Sequence, residues 1–155
     1  MAVKIYDREK SLTRCQQILT EKSALLKIRS PYVVRLIDTL KDESSLYFVM
    51  EAALGGSLHK HLASNVRFSF NVVIKFMAEI VSAICHISSL GIIHRDLKLN
   101  NVLLSPSGHV KICDFGCAAI LYVDKCDVSG VIAGTSSITS TKRYTITGTK
   151  GCVCF

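Results

Sequence analysis

Apolar side chains recur along this chain at two spacings, and each spacing predicts its own kind of element. Between about Thr13 and Ile28 they fall at helical intervals, at Cys15, Ile18, Leu19, Ala24, Leu25 and Ile28, which predicts a helix. Pro31 ends it, because the proline ring disfavours helical angles in the residue before it. Val72, Val73, Phe76, Met77, Ile80, Ile84 and Ile87 predict a second helix over residues 71–89, mostly buried. Lys75, Glu79 and His86 lie within it and would be costly in mid-bilayer, so it reads as a core helix. Shorter apolar runs predict strands. "AVKIY" opens the chain with no earlier strand to pair with, so the chain enters its sheet partway. "VVRLIDTL" and "LYFVMEA" form a hairpin about the charged turn "KDESS", and "NVLL" and "HVKI" a smaller one about "SPSG". Between the hairpins, "LGGS" reads as a flexible joint followed by a short helix through His61.

A chain of 155 residues, 49% apolar and 20% charged, suits one globular domain and excludes disordered or fibrous composition. The net charge of +7 comes from Lys and Arg scattered along the chain, a solvated surface rather than a nucleic-acid site. The cysteines at 15, 85, 113, 117, 126, 152 and 154 are odd in number and lack CxxC spacing. Reduced thiols in a cytoplasmic protein are therefore expected, not a zinc site or disulfide framework. Lys4, Asp7 and Arg8 interrupt any signal-peptide core at the N-terminus. Ten of the twenty-one residues from Ser129 to Thr149 are Ser or Thr, a stretch expected to be exposed and mobile.

The chemistry concentrates in "HRDLKLNNVLLSPSGHVKICDFG". Asp96 precedes one strand of the small hairpin and Asp114 follows the other, so their side chains can converge in a cleft. A hard cation such as Mg²⁺ takes oxygen ligands and keeps several waters. Asp114 and the Asn101 carbonyl suit it, leaving Asp96 to orient a hydroxyl and accept its proton.

"HRDLKLNN" resembles the catalytic loop of eukaryotic protein kinases, and "DFG" the start of their activation segment. The resemblance implies a partial two-lobed α+β fold: residues 1–51 a partial small lobe, 52–56 a hinge, 57–116 the core of the large lobe, and 117–155 an activation-segment-like tail. It makes Lys4 of "AVK" the lysine that contacts ATP phosphates and Glu21 of "TEKSAL" its ion-pair partner. Met50 becomes the gatekeeper, the backbones of Glu51 and Ala53 meet adenine, and Ala2 and Leu103 sandwich its ring. Lys98 fits the serine/threonine pattern and would neutralise charge on the transferred phosphate. "SPYVVRLIDTLKD" and "EAALGGSL" are most similar to the cGMP-dependent branch of the AGC kinases. The implied reaction moves the γ-phosphate of ATP, with Mg²⁺, to Ser or Thr of protein substrates.

The pattern is incomplete. No glycine-rich loop precedes Lys4 and no APE motif follows the activation segment. "TITGTKG" aligns with the end of that segment, with Thr145 as the regulatory phosphosite and Thr149 as partner of Asp96 and Lys98. Ser57 and Asn100 stand where the branch has acids, so a preference for basic substrates is not expected. These departures support a second reading, a catalytically inactive truncated kinase that binds a partner or competes with a full-length one. His94 is expected to pack beneath Phe115 rather than act as a base, and Cys113 to be a small buried side chain. The terminal "CVCF", with Lys142, Arg143 and Lys150 upstream, fits a prenylation pattern, but membrane attachment is not expected from it.

Overall fold

The computed structural model describes residues 1–7 and 14–121. The chain combines helix and sheet. Strand β1 (Ala2–Asp7) is followed by helix α1 (Cys15–Lys27), strands β2 (Leu36–Lys41) and β3 (Ser45–Met50), and helices α2 (Leu58–Ala63) and α3 (Phe70–Ser89). Strand β4 (Ile92–Ile93), a 3₁₀ turn at Leu99–Asn101, and strands β5 (Val102–Leu104), β6 (Val110–Ile112) and β7 (Ala119–Ile120) complete it. Three antiparallel sheets result, ordered β1-β3-β2, β4-β7 and β5-β6. The predicted activation-segment tail from residue 122 onward, with Thr145, Thr149 and the terminal "CVCF", lies outside the described residues.

In the first sheet β1 pairs with β3 alone, at the edge of the three strands. Alternation turns Val3 and Ile5 outward and Lys4 and Tyr6 inward. The charged turn between β2 and β3 is built on Asp42, whose carboxylate accepts the N–H groups of Ser44 and Ser45 at 2.8 and 2.7 Å and the Tyr47 hydroxyl at 2.7 Å. These donors, Tyr47 first, hold the Asp42 carboxyl down at about 2.

Two predicted boundaries shift for a tertiary reason. The strand expected over residues 33–40 begins only at Leu36, because Val33 and Val34 leave the sheet and run beside β6. There Val34 donates to the Ile112 carbonyl at 2.9 Å, and Ile112 donates to Tyr32 at 2.8 Å. Nor is "LGGS" simply a loose joint: Gly55 donates to Leu104 and Leu104 to Gly56, each at 2.8 Å, and Ser57 bridges Leu103. A side chain at Gly55 would begin 2.7 Å from the Leu104 carbonyl oxygen, so only glycine lets the two backbones meet. Ser57 then caps α2, its hydroxyl accepting the Lys60 N–H at 3.3 Å.

The helix expected to be mostly buried turns only one side inward. α3 buries Phe76, Glu79, Ala83 and Ile87 against β4 and β6. Phe70, Val73, Ile74, Met77 and Val81 stay exposed, so Met77 and Val73 do not belong to the core. Among the described residues no element covers that side.

One core cluster joins α1 (Ile18, Ala24, Leu25), β3 (Phe48), α3 (Ala83, Ile87), Ile92, Ile112 and Phe115. A second gathers Leu58, Phe76, Val102, Leu104 and Val110. The first runs from the three-stranded sheet to the small hairpin and seats one over the other. Buried Glu79 fastens α3 to that hairpin, accepting His109 Nδ1–H at 2.6 Å and the Val110 N–H at 2.9 Å. Burial pulls the Glu79 carboxyl upward, but the Val110 and His109 contacts outweigh it and the net shift is downward.

A depressed folded value means the Glu79 carboxylate stabilises the fold above the ordinary carboxylate range, near 4.3, and stops doing so as pH falls through that range and below. Urea unfolding across pH checks this. Glu79→Gln is expected to lose about 1–3 kcal/mol at neutral pH, and its stability should fall less steeply with acid than that of the wild type.

Candidate active site

The turn signals and apolar pieces of the small hairpin place three functional side chains at one end of it. Val102 pairs with Ile112, so Asn101 and Cys113 stand opposite each other, and the Cys113 N–H donates to the Asn101 carbonyl at 3.0 Å. Asp114 is the next residue. Asn101 Nδ2–H donates to the backbone carbonyl of Asp96 at 2.8 Å and to its carboxylate at 3.1 Å. Lys98 Nζ lies 2.7 Å from Asp96 Oδ2. Asp96 and Asn101 are both buried, whereas the Asp114 side chain is 47% exposed.

A ring of hydrogen bonds closes this group through a residue expected only to pack. His94 Nδ1 accepts the Asp96 N–H at 3.3 Å, which leaves Nε2 as the protonated nitrogen, donating to the Cys113 carbonyl at 3.0 Å. Burial lowers the His94 pKa and keeps the ring neutral in this role. The expected packing is present too, with the ring centroid 4.7 Å from that of Phe115. Cys113 is half-buried rather than fully buried, and burial, followed by the Asp114 charge, pushes its thiol up to about 11. That makes it a poor nucleophile at neutral pH.

Backbone strain collects here as well. Asp114 and Arg95 adopt φ of 65° and 63°, the left-handed region that costs an ordinary side chain about 1–3 kcal/mol. Arg95 is held there by donating to the carbonyls of Cys117 at 2.7 Å and Ala118 at 3.2 Å.

The second group descends from the three-stranded sheet. Lys4 Nζ donates to Glu21 Oε1 at 2.8 Å, to Oε2 at 3.2 Å and to Asp114 Oδ1 at 2.9 Å. One ammonium thereby joins β1, α1 and Asp114, two residues beyond β6. Burial pulls the Lys4 pKa down, but the bonds with Glu21, Tyr6 and Asp114 more than reverse it, so Lys4 is charged throughout the neutral range. Burial raises the Asp114 carboxyl, and the Lys4 ammonium more than offsets this, leaving it below its usual value.

Around these groups, Ala2 and Leu36 both pair with Met50 in the sheet, and Leu103 stands on β5 across from Ser57. The Glu51 N–H is taken by the Arg35 carbonyl at 2.9 Å, and its side chain pairs with Lys111 of β6 at 2.7 Å. Ala53 follows in the segment leading out of the sheet. The Glu51 to Lys111 link, the His94 ring and the Glu79 staple escaped sequence reading, since each depends on partners 15 or more residues away.

The residues present suit a magnesium ion shared with phosphates. The Asn101 amide nitrogen is committed to Asp96, so Oδ1 would be its ligand atom, one residue from Asp114 across the hairpin. Waters and phosphate oxygens would complete the shell of a cation held by one carboxylate and one amide oxygen.

The hydrogen-bonded loop around Asp96, the Lys4 bonds to Glu21 and Asp114, and the mixed sheet and helix architecture are those expected of a partial protein kinase domain. Comparison with known proteins agrees: residues 1–146 match the Protein kinase domain family, and the chain belongs to it. It is 35% identical over 137 residues to a "cAMP-dependent protein kinase, catalytic subunit-like" protein of Caenorhabditis briggsae, covering 88% of this chain and 34% of that one. To "cAMP-dependent protein kinase catalytic subunit PRKX" of Homo sapiens it is 42% identical over 103 residues, 66% of this chain and 29% of the relative. To "Serine/threonine-protein kinase greatwall" of Xenopus laevis it is 34% identical over 121 residues, covering 77% and 14%. The chain thus spans about a third or less of the length of these relatives.

Proposed function

We propose that this chain carries the ATP- and magnesium-binding centre of a serine/threonine kinase of the AGC type, nearest the cGMP-dependent branch. The observation that carries the reading is the position of Lys4, bonded at once to Glu21 and Asp114. In this reading residues 1–51 are a partial small lobe, 52–56 the hinge, 57–116 the core of the large lobe and 117–155 the activation-segment-like tail. Adenine lies between Ala2 and Leu103, beside Met50, with the Glu51 carbonyl and the Ala53 backbone at its edge. Lys4 holds phosphate oxygens, and Asn101 and Asp114 hold Mg²⁺, which when bound would neutralise charge on the phosphates. Asp96 orients a Ser or Thr hydroxyl of a protein substrate and takes its proton. The hydroxyl oxygen bonds to the γ-phosphorus, the bond to the bridging oxygen breaks, and ADP leaves while Lys98 balances the charge. A cytoplasmic setting is consistent with Cys15, Cys85, Cys113 and Cys117 as free thiols.

Calorimetric titration tests this directly. Mg²⁺ is expected to tighten ATP binding to the wild-type chain and to have no such effect on Asp114→Ala. Equal ATP affinity with and without Mg²⁺ in the wild type would reject the centre.

The exposed apolar side of α3 supports the second reading, a catalytically inactive chain that binds a partner or competes with a longer kinase. A phosphotransfer assay separates the two: turnover that disappears in Asp114→Ala excludes the inactive form.

A further inference from the structure

The pair formed by Lys4 and Glu21 has a third member. Tyr6 follows Lys4 by two positions on β1, so both side chains leave the same face of the strand. Its hydroxyl donates to Glu21 Oε2 at 2.6 Å, shorter than either bond from Lys4 to that carboxylate. The ring is fixed by an edge contact with fully buried Phe48, centroids 5.2 Å apart, and the Lys4 ammonium lies 5.3 Å from its centroid. Tyrosine at this place is therefore neither a surface residue nor only a packing one.

We propose that Tyr6 is a positioning residue that holds Glu21, and with it α1, in place when Lys4 turns to nucleotide phosphates. This rests on the ATP-binding reading above. Lys4 has three N–H donors and already divides them between Glu21 and Asp114. Phosphate oxygens entering the centre compete for those donors. Glu21 is 2% exposed, and a buried carboxylate deprived of donors is costly, so without another partner it would either keep Lys4 from the phosphates or swing toward water. The Tyr6 hydroxyl removes that conflict by supplying Glu21 with a donor that the nucleotide does not contest.

Tyr6→Phe keeps the ring against Phe48 and deletes only the hydroxyl. With the full chain, calorimetry is expected to show Mg·ATP affinity lowered by about 3- to 10-fold, the equivalent of one hydrogen bond. Adenosine has no phosphate to engage Lys4, and its affinity should not change. In the absence of ligand, acetylation of Lys4 by acetic anhydride, read by peptide mass spectrometry against exposed Lys41, is expected to change several-fold in the variant, slower where Glu21 keeps Lys4 to itself and faster where it swings toward water. Unchanged Mg·ATP affinity, an equal loss for both ligands, or an unchanged Lys4 acetylation rate would each overturn the proposal. Should the wild-type chain take up neither ligand, the ATP-binding reading falls by itself, and the acetylation rate alone decides whether Tyr6 holds the pair.

Discussion

Phe115→Ala is expected to remove about 3–5 kcal/mol of stability, the range for truncating a buried aromatic ring. The ring is fully buried and belongs to the core cluster that α1, β3 and α3 share. It also backs His94, whose two ring nitrogens connect Asp96 with Cys113. Partial collapse around the cavity would therefore disturb both halves of the candidate site, not just the packing beneath it. Domains of this size have only about 5–15 kcal/mol in all, so the variant should unfold at a far lower urea concentration. With a urea dependence of about 1–3 kcal/mol per molar, the midpoint should fall by at least about 1 M. A loss below about 1 kcal/mol would mean that the two halves do not share this core.

The second large effect is chemical. On the proposed kinase reading, Asp96→Asn is expected to lower phosphotransfer by about 10²- to 10⁴-fold, the usual contribution of a positioned base, while leaving Mg·ATP binding close to that of the wild type. The amide matches the carboxylate in size and can still accept from Lys98 and Asn101, which now surround Asp96 at 2.7 and 3.1 Å. What it cannot do is take a proton from a hydroxyl. Single-turnover rates and nucleotide affinity, measured on the same preparation, check the split. Comparable losses in binding and turnover would assign Asp96 to holding the loop together rather than to proton transfer.

Much of the site was legible because its residues are close in sequence. Asp96, Lys98 and Asn101 fall within six positions, and a loop that short constrains which of them can meet. The small hairpin was legible for a similar reason, since "SPSG" joins two apolar pieces that can pair only with each other locally. Lys4 and Glu21 were matched by resemblance, and the geometry puts them 2.8 Å apart. Tyr6 was missed. On a strand pattern it reads as one more apolar position, and nothing in its spacing shows that a buried carboxylate waits opposite.

The chain's own pattern determined helices α1 and α3 and the two hairpins, because periodicity and turn chemistry act over a few residues; the short β4–β7 pair was not legible there. It also determined which acids and amides crowd into the loop from Asp96 to Asn101. Tertiary structure alone decided that Val33 and Val34 leave their strand for β6, and that among the described residues one apolar side of α3 packs against no other element. It likewise decided that one lysine spans from Glu21 to Asp114, 93 positions further along. Those outcomes depend on which distant surfaces compete for the same burial and the same hydrogen bonds, and no local window of sequence contains that competition.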